Sequence, residues 1–406
     1  MKDGGAVRRL VTMLAALPPL LLAGCSGGSA SGTAPTGVPP VSWAIAASPA
    51  LATGLGELTG VACVSATDCW AVGSSLGADG SGQPLIESYA GAGWSIVASP
   101  TLPTGAGGGG LSGVACAGPG ECWAVGSATS ADGSAAPLIE RYAGTGWSLV
   151  SGAVPTAGSS GGSLSGIACV DAGDCWAVGG RGPGGGPSGE GELIEHYSGG
   201  GWSVAPSPAL GAGLSGGYLS GVACPDASAC WAVGTAVRTN GTAQPLIDGY
   251  SGGGWSAATT SGPTAGRDLS GVACSGADAC WAVGTQTGIA TATFMERYAG
   301  GGWSGVSGPA LPTGRHDGLL SGVACSGPGD CWAVGAADAP SGLNLVLIAR
   351  FAAGMWSTAT SPSPAGGNGS ILSAVTCIAP DDCWAVGNSG DSSFSGDGPT
   401  LIEHAS

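Results

Sequence analysis

Carboxylates recur at one position of this 406-residue chain, each directly after a pair of apolar residues. The six acidic copies are Glu87, Glu140, Glu195, Asp248, Glu296 and Glu403, and Ala349 takes the remaining place. Enzymes that hydrolyse glycosidic bonds use a pair of carboxylates, so the pattern suggests glycoside hydrolysis as one function. A residue that returns in nearly every repeat serves the repeat, however, and a buried acid needs hydrogen-bond donors. We therefore expect these acids to accept hydrogen bonds from backbone or indole N–H groups between structural units.

Seven other residues are candidates for contact with a ligand, because they lie in segments that differ from repeat to repeat. They are Arg181, Arg238, Arg267, Asp268, Arg315, His316 and Asp317. The last three are adjacent, and this is the one place where three functional side-chain types adjoin. Neighbouring residues in a loop rarely form a catalytic site alone, so a solvated turn is the alternative. We predict no catalytic residue.

Two further sets of charged residues are expected to serve the scaffold. Arginines follow the repeated acid position at Arg141, Arg297 and Arg350. Acids precede the second cysteine of five repeats, at Asp68, Glu121, Asp174, Asp330 and Asp382. Because Asp is favoured in tight turns, we expect this second set to be turn residues.

Fifteen cysteines divide into seven pairs and one single residue. The string Cys-x5-Cys-Trp-Ala-Val-Gly contains the pairs Cys63/Cys69, Cys116/Cys122, Cys169/Cys175, Cys224/Cys230, Cys274/Cys280, Cys325/Cys331 and Cys377/Cys383. Across a five-residue turn, the two cysteines would face each other on a hairpin at a separation that suits a disulfide. Zinc is the alternative, but this spacing is wide for a ligand pair, and three histidines cannot complete seven sites. We predict seven disulfides, no metal and no other cofactor.

The single cysteine, Cys25, directly follows a predicted N-terminal export signal. Three basic residues precede the apolar run 10–22. The last residue of this run begins the string Leu-Ala-Gly-Cys at residues 22–25. The run is short and contains two prolines, so it does not suit a membrane-spanning helix. It resembles the lipobox of bacterial lipoproteins. This resemblance implies a signal peptide at residues 1–24 and a lipid on Cys25 that anchors the protein to the outer face of the cell membrane. A cleaved signal that happens to contain a cysteine is the alternative.

Tryptophans show that the repeat fills the rest of the chain. Seven follow the second cysteine of a pair, and the other seven are Trp43, Trp94, Trp147, Trp202, Trp255, Trp303 and Trp356. The period is 50 to 55 residues with four short apolar segments, which is typical of a propeller blade. In the second repeat we predict strands at residues 111–116, 122–126, 138–142 and 147–150. Because the tryptophans repeat in register, we expect them to pack between blades.

The two ends of the chain predict that the repeats close into a ring. The last repeat stops at its third strand, at residues 401–404, and the missing Trp-containing strand stands at residues 41–48. A first strand that completes the last blade closes the ring by backbone hydrogen bonds. An open solenoid would instead need polar capping repeats at its ends. We predict an all-β, seven-bladed β-propeller of four-stranded antiparallel blades over residues 41–406. Residues 25–40 would form a Gly/Ser/Pro tether.

This arrangement resembles secreted bacterial β-propellers of the kelch, galactose-oxidase-like and Asp-box types, over residues 41–406. The resemblance implies the same architecture. A copper site of the galactose-oxidase kind needs converging His and Tyr ligands. Here His196 and His404 share one repeated position, which leaves only His316. We therefore expect no copper centre.

Charge limits the partners. From Cys25 onwards seven arginines face 25 acids, a net charge of −18, so nucleic acid and anionic lipid surfaces are poor partners. We expect a monomeric, lipid-anchored binding or scaffolding module of the bacterial envelope, with a glycan or protein ligand. A carbohydrate-active enzyme, hydrolase or lyase, with its site on the top face is one alternative. A passive surface-coat protein is another.

Overall fold

The computed structural model describes residues 41–131, 133–153, 161–182, 191–288, 290–364, 369–390 and 398–406. Across these ranges the chain forms 29 strands and no helix. Accordingly, no described helix is long and apolar enough to cross a membrane. One compact unit spans Val38–Ser406. The predicted signal peptide and the whole of the predicted tether, with Cys25, lie outside the described residues.

The first half of the chain forms the first strand and three blades. The first strand of the described residues is β1 (Trp43–Ala46). Blade 1 contains β2 (Gly56–Ser65), β3 (Asp68–Leu76), β4 (Gly82–Tyr89) and β5 (Trp94–Val97). Blade 2 contains β6 (Ala106–Gly118), β7 (Glu121–Ser130), β8 (Ala135–Tyr142) and β9 (Trp147–Leu149). Blade 3 contains β10 (Gly162–Asp171), β11 (Asp174–Arg181), β12 (Gly191–Tyr197) and β13 (Trp202–Val204).

The second half forms the other four blades. Blade 4 contains β14 (Leu214–Asp226), β15 (Ala229–Arg238), β16 (Ala243–Tyr250) and β17 (Trp255–Ala257), and the short β18 (Thr260–Ser261) follows it. Blade 5 contains β19 (Arg267–Gly276), β20 (Ala279–Gln286), β21 (Ala292–Tyr298) and β22 (Trp303–Ser307). Blade 6 contains β23 (His316–Gly327), β24 (Asp330–Asp338), β25 (Asn344–Ala352) and β26 (Met355–Ala359). Blade 7 contains β27 (Ser370–Ala379), β28 (Asp382–Ser389) and β29 (Thr400–Ala405).

Each blade is one antiparallel sheet whose strands we call a to d, from the axis outwards. Strand d of blade 7 is β1, which pairs with β29 from Trp43 opposite Ala405 to Ala46 opposite Ile402. Neighbouring a strands contact each other around the axis, and β27 contacts β2. The predicted seven-bladed ring and its closure by the first strand are confirmed. Blade 5 has one addition, because β18 pairs in parallel with the outer edge of β22.

Disulfides join strands a and b at one face of the ring, which we call the bottom face. All seven predicted pairs are bonded, with Cα atoms 4.0 to 4.1 Å apart. In blade 3, for example, Cys169 and Cys175 are direct cross-strand partners. The opposite face, where strand b ends and strand a begins, is the top face.

The two cysteines of a pair differ in their surroundings, which the sequence analysis did not address. The first cysteine, near the end of strand a, is half-buried, whereas the second is buried at 0 to 1% exposure. These buried residues are Cys69, Cys122, Cys175, Cys230, Cys280, Cys331 and Cys383. Each belongs to a hydrophobic cluster, as Cys122 shares one with Trp70 and Trp147. The second cysteines are therefore core residues that no ligand reaches, because adjacent blades cover strand b.

The glycine of each Cys-Trp-Ala-Val-Gly string has a structural cause that the sequence did not show. Strand a contains a register shift a few residues before its cysteine, between Leu164 and Gly166 in blade 3. This bulge brings the a-strand backbone against strand b. A Cβ atom on Gly179 would lie 1.9 Å from the carbonyl oxygen of Ser163, so a side chain has no space there. The motif therefore contains glycine because the backbones of strands a and b approach each other closely.

Tryptophans form seven pairs between adjacent blades, as predicted. In every pair the two rings meet edge to face with centroids 5.2 to 5.3 Å apart. A b-strand tryptophan packs on the d-strand tryptophan of the next blade, as Trp123 does on Trp202. The pairs Trp332–Trp43 and Trp384–Trp94 continue this packing between blades where the ring closes.

The acids beside the second cysteine do more than shape a turn. Each begins strand b, and four of them bind the charged or polar residue that follows the repeated acid in strand c. These pairs are Glu121–Arg141, Asp174–His196, Asp330–Arg350 and Asp382–His404. The Arg or His in turn lies over the b-strand tryptophan of its blade, as Arg141 lies 5.0 Å from the Trp123 ring centroid. The prediction that these acids are only turn residues was incomplete, because the partner is distant in sequence.

Candidate functional site

The seven residues predicted to contact a ligand all lie at the top face, on blades 3 to 6. Six of them are in strands rather than in loops, so that part of the prediction was wrong. Arg181 and Arg238 end b strands, whereas Arg267, Asp268, His316 and Asp317 begin a strands. The a strands extend upwards beyond their apolar residues, since ladder hydrogen bonds need only backbone groups. The same reason explains why β6 starts at Ala106, five residues before the strand that we predicted at residues 111–116.

Each of the four arginines donates a hydrogen bond to an uncharged acceptor close to it in the ring. Arg181 Nε donates to the Glu192 carbonyl oxygen at 2.9 Å, and Arg238 Nη2 donates to Thr264 Oγ1 at 3.2 Å. Arg267 donates to Gln286 Oε1 at 3.0 Å and lies 4.6 Å from the Phe294 ring centroid. Arg315 Nη1 donates to the Val346 carbonyl oxygen at 2.9 Å. In the described part of the chain, no hydrogen bond or ion pair joins candidates on different blades.

Three side chains that could bind a metal ion lie together at the top of blade 6. His316 Nδ1 is 2.6 Å from Asp317 Oδ2, and Asp317 Oδ1 accepts a hydrogen bond from the Thr291 N–H at 2.6 Å. Asp338 completes the cluster, with its ligand atom within 4.8 Å of the other two. Sequence reasoning missed Asp338, which lies opposite His316 in the β23–β24 ladder and 22 residues away in sequence. The cluster is open to solvent at His316.

The repeated carboxylates are buried at the interfaces between blades. Four of them accept a hydrogen bond from a hydroxyl group of the preceding blade, as Glu140 Oε1 accepts from Ser99 at 2.8 Å. The other three pairs are Glu87–Ser48, Glu296–Thr260 and Glu403–Ser361. In every case the hydroxyl residue stands five positions after the d-strand tryptophan. The prediction of backbone or indole donors was therefore wrong for these four.

Exceptions among the repeats support this pairing. Gly152 replaces the hydroxyl residue in one repeat, and there Glu195 Oε2 accepts from the Ala153 N–H at 3.0 Å. Gly308 replaces it in another, where the acid itself is replaced by Ala349. In this second repeat the hydroxyl donor and the acid are both absent. Indole N–H groups take no part, because ten of the described tryptophan nitrogens are buried without a hydrogen-bond partner.

Burial determines the protonation of these acids. It raises the pKa of Glu87, Glu140, Glu195 and Glu403 to about 7 in each case, against the smaller opposing effect of the donated hydrogen bonds. Burial also raises the pKa of Glu296. Perturbed acids often mark active sites, but these occupy equivalent interface positions and serve the fold.

One pair of carboxylates departs from the repeat. Glu192 of blade 3 takes the place held by Pro84 and Pro245 elsewhere, and its carboxyl group interacts with that of Asp248 of blade 4. Burial and the charge of Asp248 raise the pKa of Glu192 to about 9, while burial raises that of Asp248 to about 6. Both oxygens of Asp248 and Oε2 of Glu192 are buried without a hydrogen-bond partner in the described chain. The two pKa values lie on either side of 7, so the pair holds one proton at neutral pH.

We expect Glu192→Gln to raise the melting temperature at pH 10 and to leave it nearly unchanged at pH 7. A raised pKa in the folded state means that stability is lost as the pH rises through about 9, when the buried acid ionises. The amide of glutamine can donate to Asp248 at every pH, so the variant avoids that loss. Calorimetry at the two pH values measures the effect, and the exposed-site variant Asp226→Asn is the control. A wild-type protein as stable at pH 10 as the variant would contradict the shared proton.

Two adjoining cavities open at the top and outer side of blade 1. The larger, of about 750 Å³, extends from Leu51 to the start of β6 and is lined by Asp79, Gln83, Ile96 and Leu102, among others. The smaller, of about 430 Å³, lies between blades 7 and 1 and is lined by Ile45, Pro49 and Leu51. Leu51 borders both, so they form one feature, which we call the blade 1 groove. Sequence reasoning missed it, since its lining combines ordinary apolar and small polar residues.

The axis of the propeller offers less space. Its channel has a volume of about 160 Å³ and is lined by the Ser-Gly-Val segments of the a strands. A Cβ atom on Gly166 would lie 3.0 Å from Gly221 Cα, so neighbouring backbones nearly touch there. The lining repeats from blade to blade and presents no ionisable side chain.

Comparison with known proteins connects this chain to other propellers through its fold. No protein-family model and no curated protein matches the sequence. Among solved structures, "YCF48 bound to D1 peptide" is similar with a TM-score of 0.52 and 14% identity, over 90% of this chain and 96% of that one. A sialidase, "Hadza microbial sialidase Hz136", gives a TM-score of 0.48 at 10% identity over 79% and 73% of the two chains. AofleA from Arthrobotrys oligospora gives 0.45 at 13% identity over 80% and 94%.

At these identities the likeness concerns the fold alone. The chain is a seven-bladed β-propeller with one disulfide in every blade.

Proposed function

We propose that this protein is a monomeric, exported binding or scaffolding module whose ligand occupies the blade 1 groove. The groove is the observation that carries the proposal. Binding sites are typically concave and mainly apolar, with a few polar groups that orient the ligand, and cavities of about 300 to 1,000 Å³ are usual. The larger cavity falls in that range at about 750 Å³ and places Asp79 and Gln83 beside Ile96 and Leu102.

The positions of the perturbed acids favour binding over catalysis. Hydrolysis of a glycosidic bond needs two carboxylates that reach the same substrate from opposite sides. The acids at the interfaces between blades face a neighbouring blade and are buried at 0 to 3% exposure. Glu57 and Asp268, whose pKa values burial also raises, are half-buried near the starts of a strands in blades 1 and 5. Even Glu192 and Asp248, whose pKa values are pushed apart, lack an open path to substrate because both are enclosed between blades 3 and 4.

The YCF48 structure supports a protein ligand. Its name records a bound peptide, and its fold matches nearly the whole of the present chain. A β-propeller of this size can therefore present a surface to which a peptide binds. This comparison concerns fold, so the groove itself carries the argument for this protein.

Binding to arrays of peptides and glycans by residues 38–406 tests the proposal, with Ile96→Asp as the groove variant. Ile96 is 47% exposed, so its replacement changes the groove without opening the core. Ala257→Asp is the matched control, because Ala257 stands at the same position of strand d in blade 4. We expect at least a tenfold loss of affinity in the groove variant and none in the control. Turnover of an arrayed glycan would contradict the proposal, as would binding that both variants retain.

We also propose that Cys25 carries the lipid that holds the module at the outer face of the bacterial membrane. The lipobox-like segment supports this, and so does the presence of a disulfide in every blade, since disulfides persist outside the reducing cytosol. We expect the full chain produced in a bacterium to partition into detergent and the Cys25→Ser variant to partition into water. Detection of wild-type protein in the aqueous phase alone would exclude a lipid anchor.

A further inference from the structure

We infer that the ligand of the blade 1 groove is an extended, positively charged peptide segment that adds a strand to the edge of blade 1. This inference rests on the proposed function and specifies the partner. Four observations support it: the shape of the groove, its exposed apolar side chains, its charge and the open edge of β5.

The shape of the groove suits an elongated ligand. The two cavities lie side by side along the rim from blade 7 to blade 2, and Leu51 lines both. A compact sugar would fill one cavity and leave the other open. A chain in extended conformation advances about 3.3 Å per residue, so a segment of several residues can occupy both.

Exposed apolar side chains concentrate on this side of the ring. The residue two positions after the d-strand tryptophan is Ile45 in blade 7, Ile96 in blade 1 and Leu149 in blade 2, and these side chains are 38 to 47% exposed. The equivalent residues in blades 3 to 6 are smaller or polar: Val204, Ala257, Gly305 and Thr358. Ile45 and Ile96 line the groove. A partner bound in the groove would therefore remove the two large apolar side chains that line it from water.

The charge around the groove selects a cation. Residues 41–140 and 351–406, which include blades 7 and 1, contain no arginine or lysine. Asp79 lines the groove, and hydrogen bonds from Ser81 keep its pKa below the usual value, so it is ionised at neutral pH. All four top-face arginines lie on blades 3 to 6 instead. An acidic ligand would find no counter-charge here, whereas a Lys or Arg side chain can pair with Asp79.

The open edge of blade 1 provides for backbone pairing. Its outermost strand, β5, pairs only with β4. In blade 5 the corresponding edge receives β18, with Thr260 opposite Trp303 and Ser261 opposite Ser304. The residue equivalent to Ser261 before blade 1 is Pro49, which has no N–H group to donate. The chain's own segment therefore does not extend the sheet there, and a ligand can do so by strand addition.

Selection from a displayed library of random peptides tests the inference. Residues 38–406 form a compact unit and serve as bait, with Ile96→Asp and Asp79→Asn as groove variants and Ala257→Asp as the control. We expect enriched peptides to contain Lys or Arg between alternating apolar residues. We expect a tenfold or greater loss of affinity in Ile96→Asp, a loss for Lys and Arg peptides in Asp79→Asn, and no change in Ala257→Asp. N-methylation of alternate backbone nitrogens in the best peptide should abolish binding.

The outcomes separate this inference from the proposed function. Enrichment of acidic peptides, full binding by N-methylated peptide or no enrichment would overturn the extended cationic peptide. The proposed function would still stand if an arrayed glycan or another ligand bound wild-type protein and lost its affinity in Ile96→Asp. Both would fail if every ligand found bound Ile96→Asp as tightly as wild type.

Discussion

Raising the pH from 5 to 8 is expected to lower the melting temperature of the propeller. Four buried glutamates, Glu87, Glu140, Glu195 and Glu403, have pKa values of about 7 instead of 4.5. When the folded-state pKa exceeds the unfolded one, stability is complete below the unfolded value and is lost as the pH rises through the folded value. The loss therefore falls between about pH 4.5 and pH 8.

The size of this effect is large relative to the stability of a domain. One pKa unit corresponds to about 1.4 kcal/mol, so each ionised glutamate costs on the order of 3 kcal/mol by pH 8. A typical domain is stable by only about 5 to 15 kcal/mol, so a fraction of that cost at four sites lowers the melting temperature measurably. The carboxylates whose pKa values are lowered, such as Asp79 and Asp226, are exposed and have little opposing influence.

Calorimetric melting curves of wild type and Glu140→Gln at pH 5 and pH 8 check this prediction. Glutamine keeps an oxygen that can accept from Ser99 but cannot ionise. The variant should resemble wild type at pH 5 and melt at a higher temperature at pH 8. Its pH slope should therefore be shallower. A wild-type melting temperature that rises between pH 5 and pH 8 would show that these acids are ionised and stabilised in the folded protein.

Replacing Trp43 by alanine is expected to destabilise the ring more than the same change in a blade that does not close it. Trp43 is 6% exposed, and its ring packs edge to face on Trp332 at a centroid distance of 5.2 Å. Truncation of a buried tryptophan costs about 3 to 5 kcal/mol. In addition, Trp43 begins the short strand β1, whose pairing with β29 joins the first strand of the chain to the last blade.

Trp147→Ala is the matched control for ring closure. Trp147 is 9% exposed and packs at the same distance on Trp70, but its strand β9 is continuous with the rest of blade 2. Chemical denaturation should show both losses of packing. Hydrogen exchange of β29 should rise strongly only in Trp43→Ala, because that variant loosens β1. Equal exchange of β29 in the two variants would mean that closure does not depend on Trp43.

Repetition explains why so much of the fold could be predicted. A period of about fifty residues with two tryptophans and two cysteines per repeat indicated blades, inter-blade aromatic packing and hairpin disulfides. Because each repeat must make the same contacts, seven copies of Cys-x5-Cys-Trp-Ala-Val-Gly predicted seven copies of one geometry. The displaced strand around Trp43 even predicted how the ring closes.

The donors to the buried acids show where a repeat misleads. The carboxylate position was visible in nearly every blade, and the hydroxyl at Ser99 or Ser361 was almost as regular, but the two stand about forty residues apart on different blades. Indole groups were the more conspicuous donors in sequence. They are turned against neighbouring rings, as Trp147 is against Trp70, and they do not reach the acids.

By itself, the sequence determined the architecture of this protein: the number of blades, their disulfides, the tryptophan pairs and the strand that closes the ring. Only the tertiary structure decided which residues share a surface. It separated the arginines at positions 181, 238, 267 and 315 onto four blades, joined Asp338 to His316, and assembled the blade 1 groove from Leu51, Asp79 and Ile96. The reason is physical. Contacts within a repeated unit are copied with the unit, whereas a binding surface arises where unlike segments of several units meet.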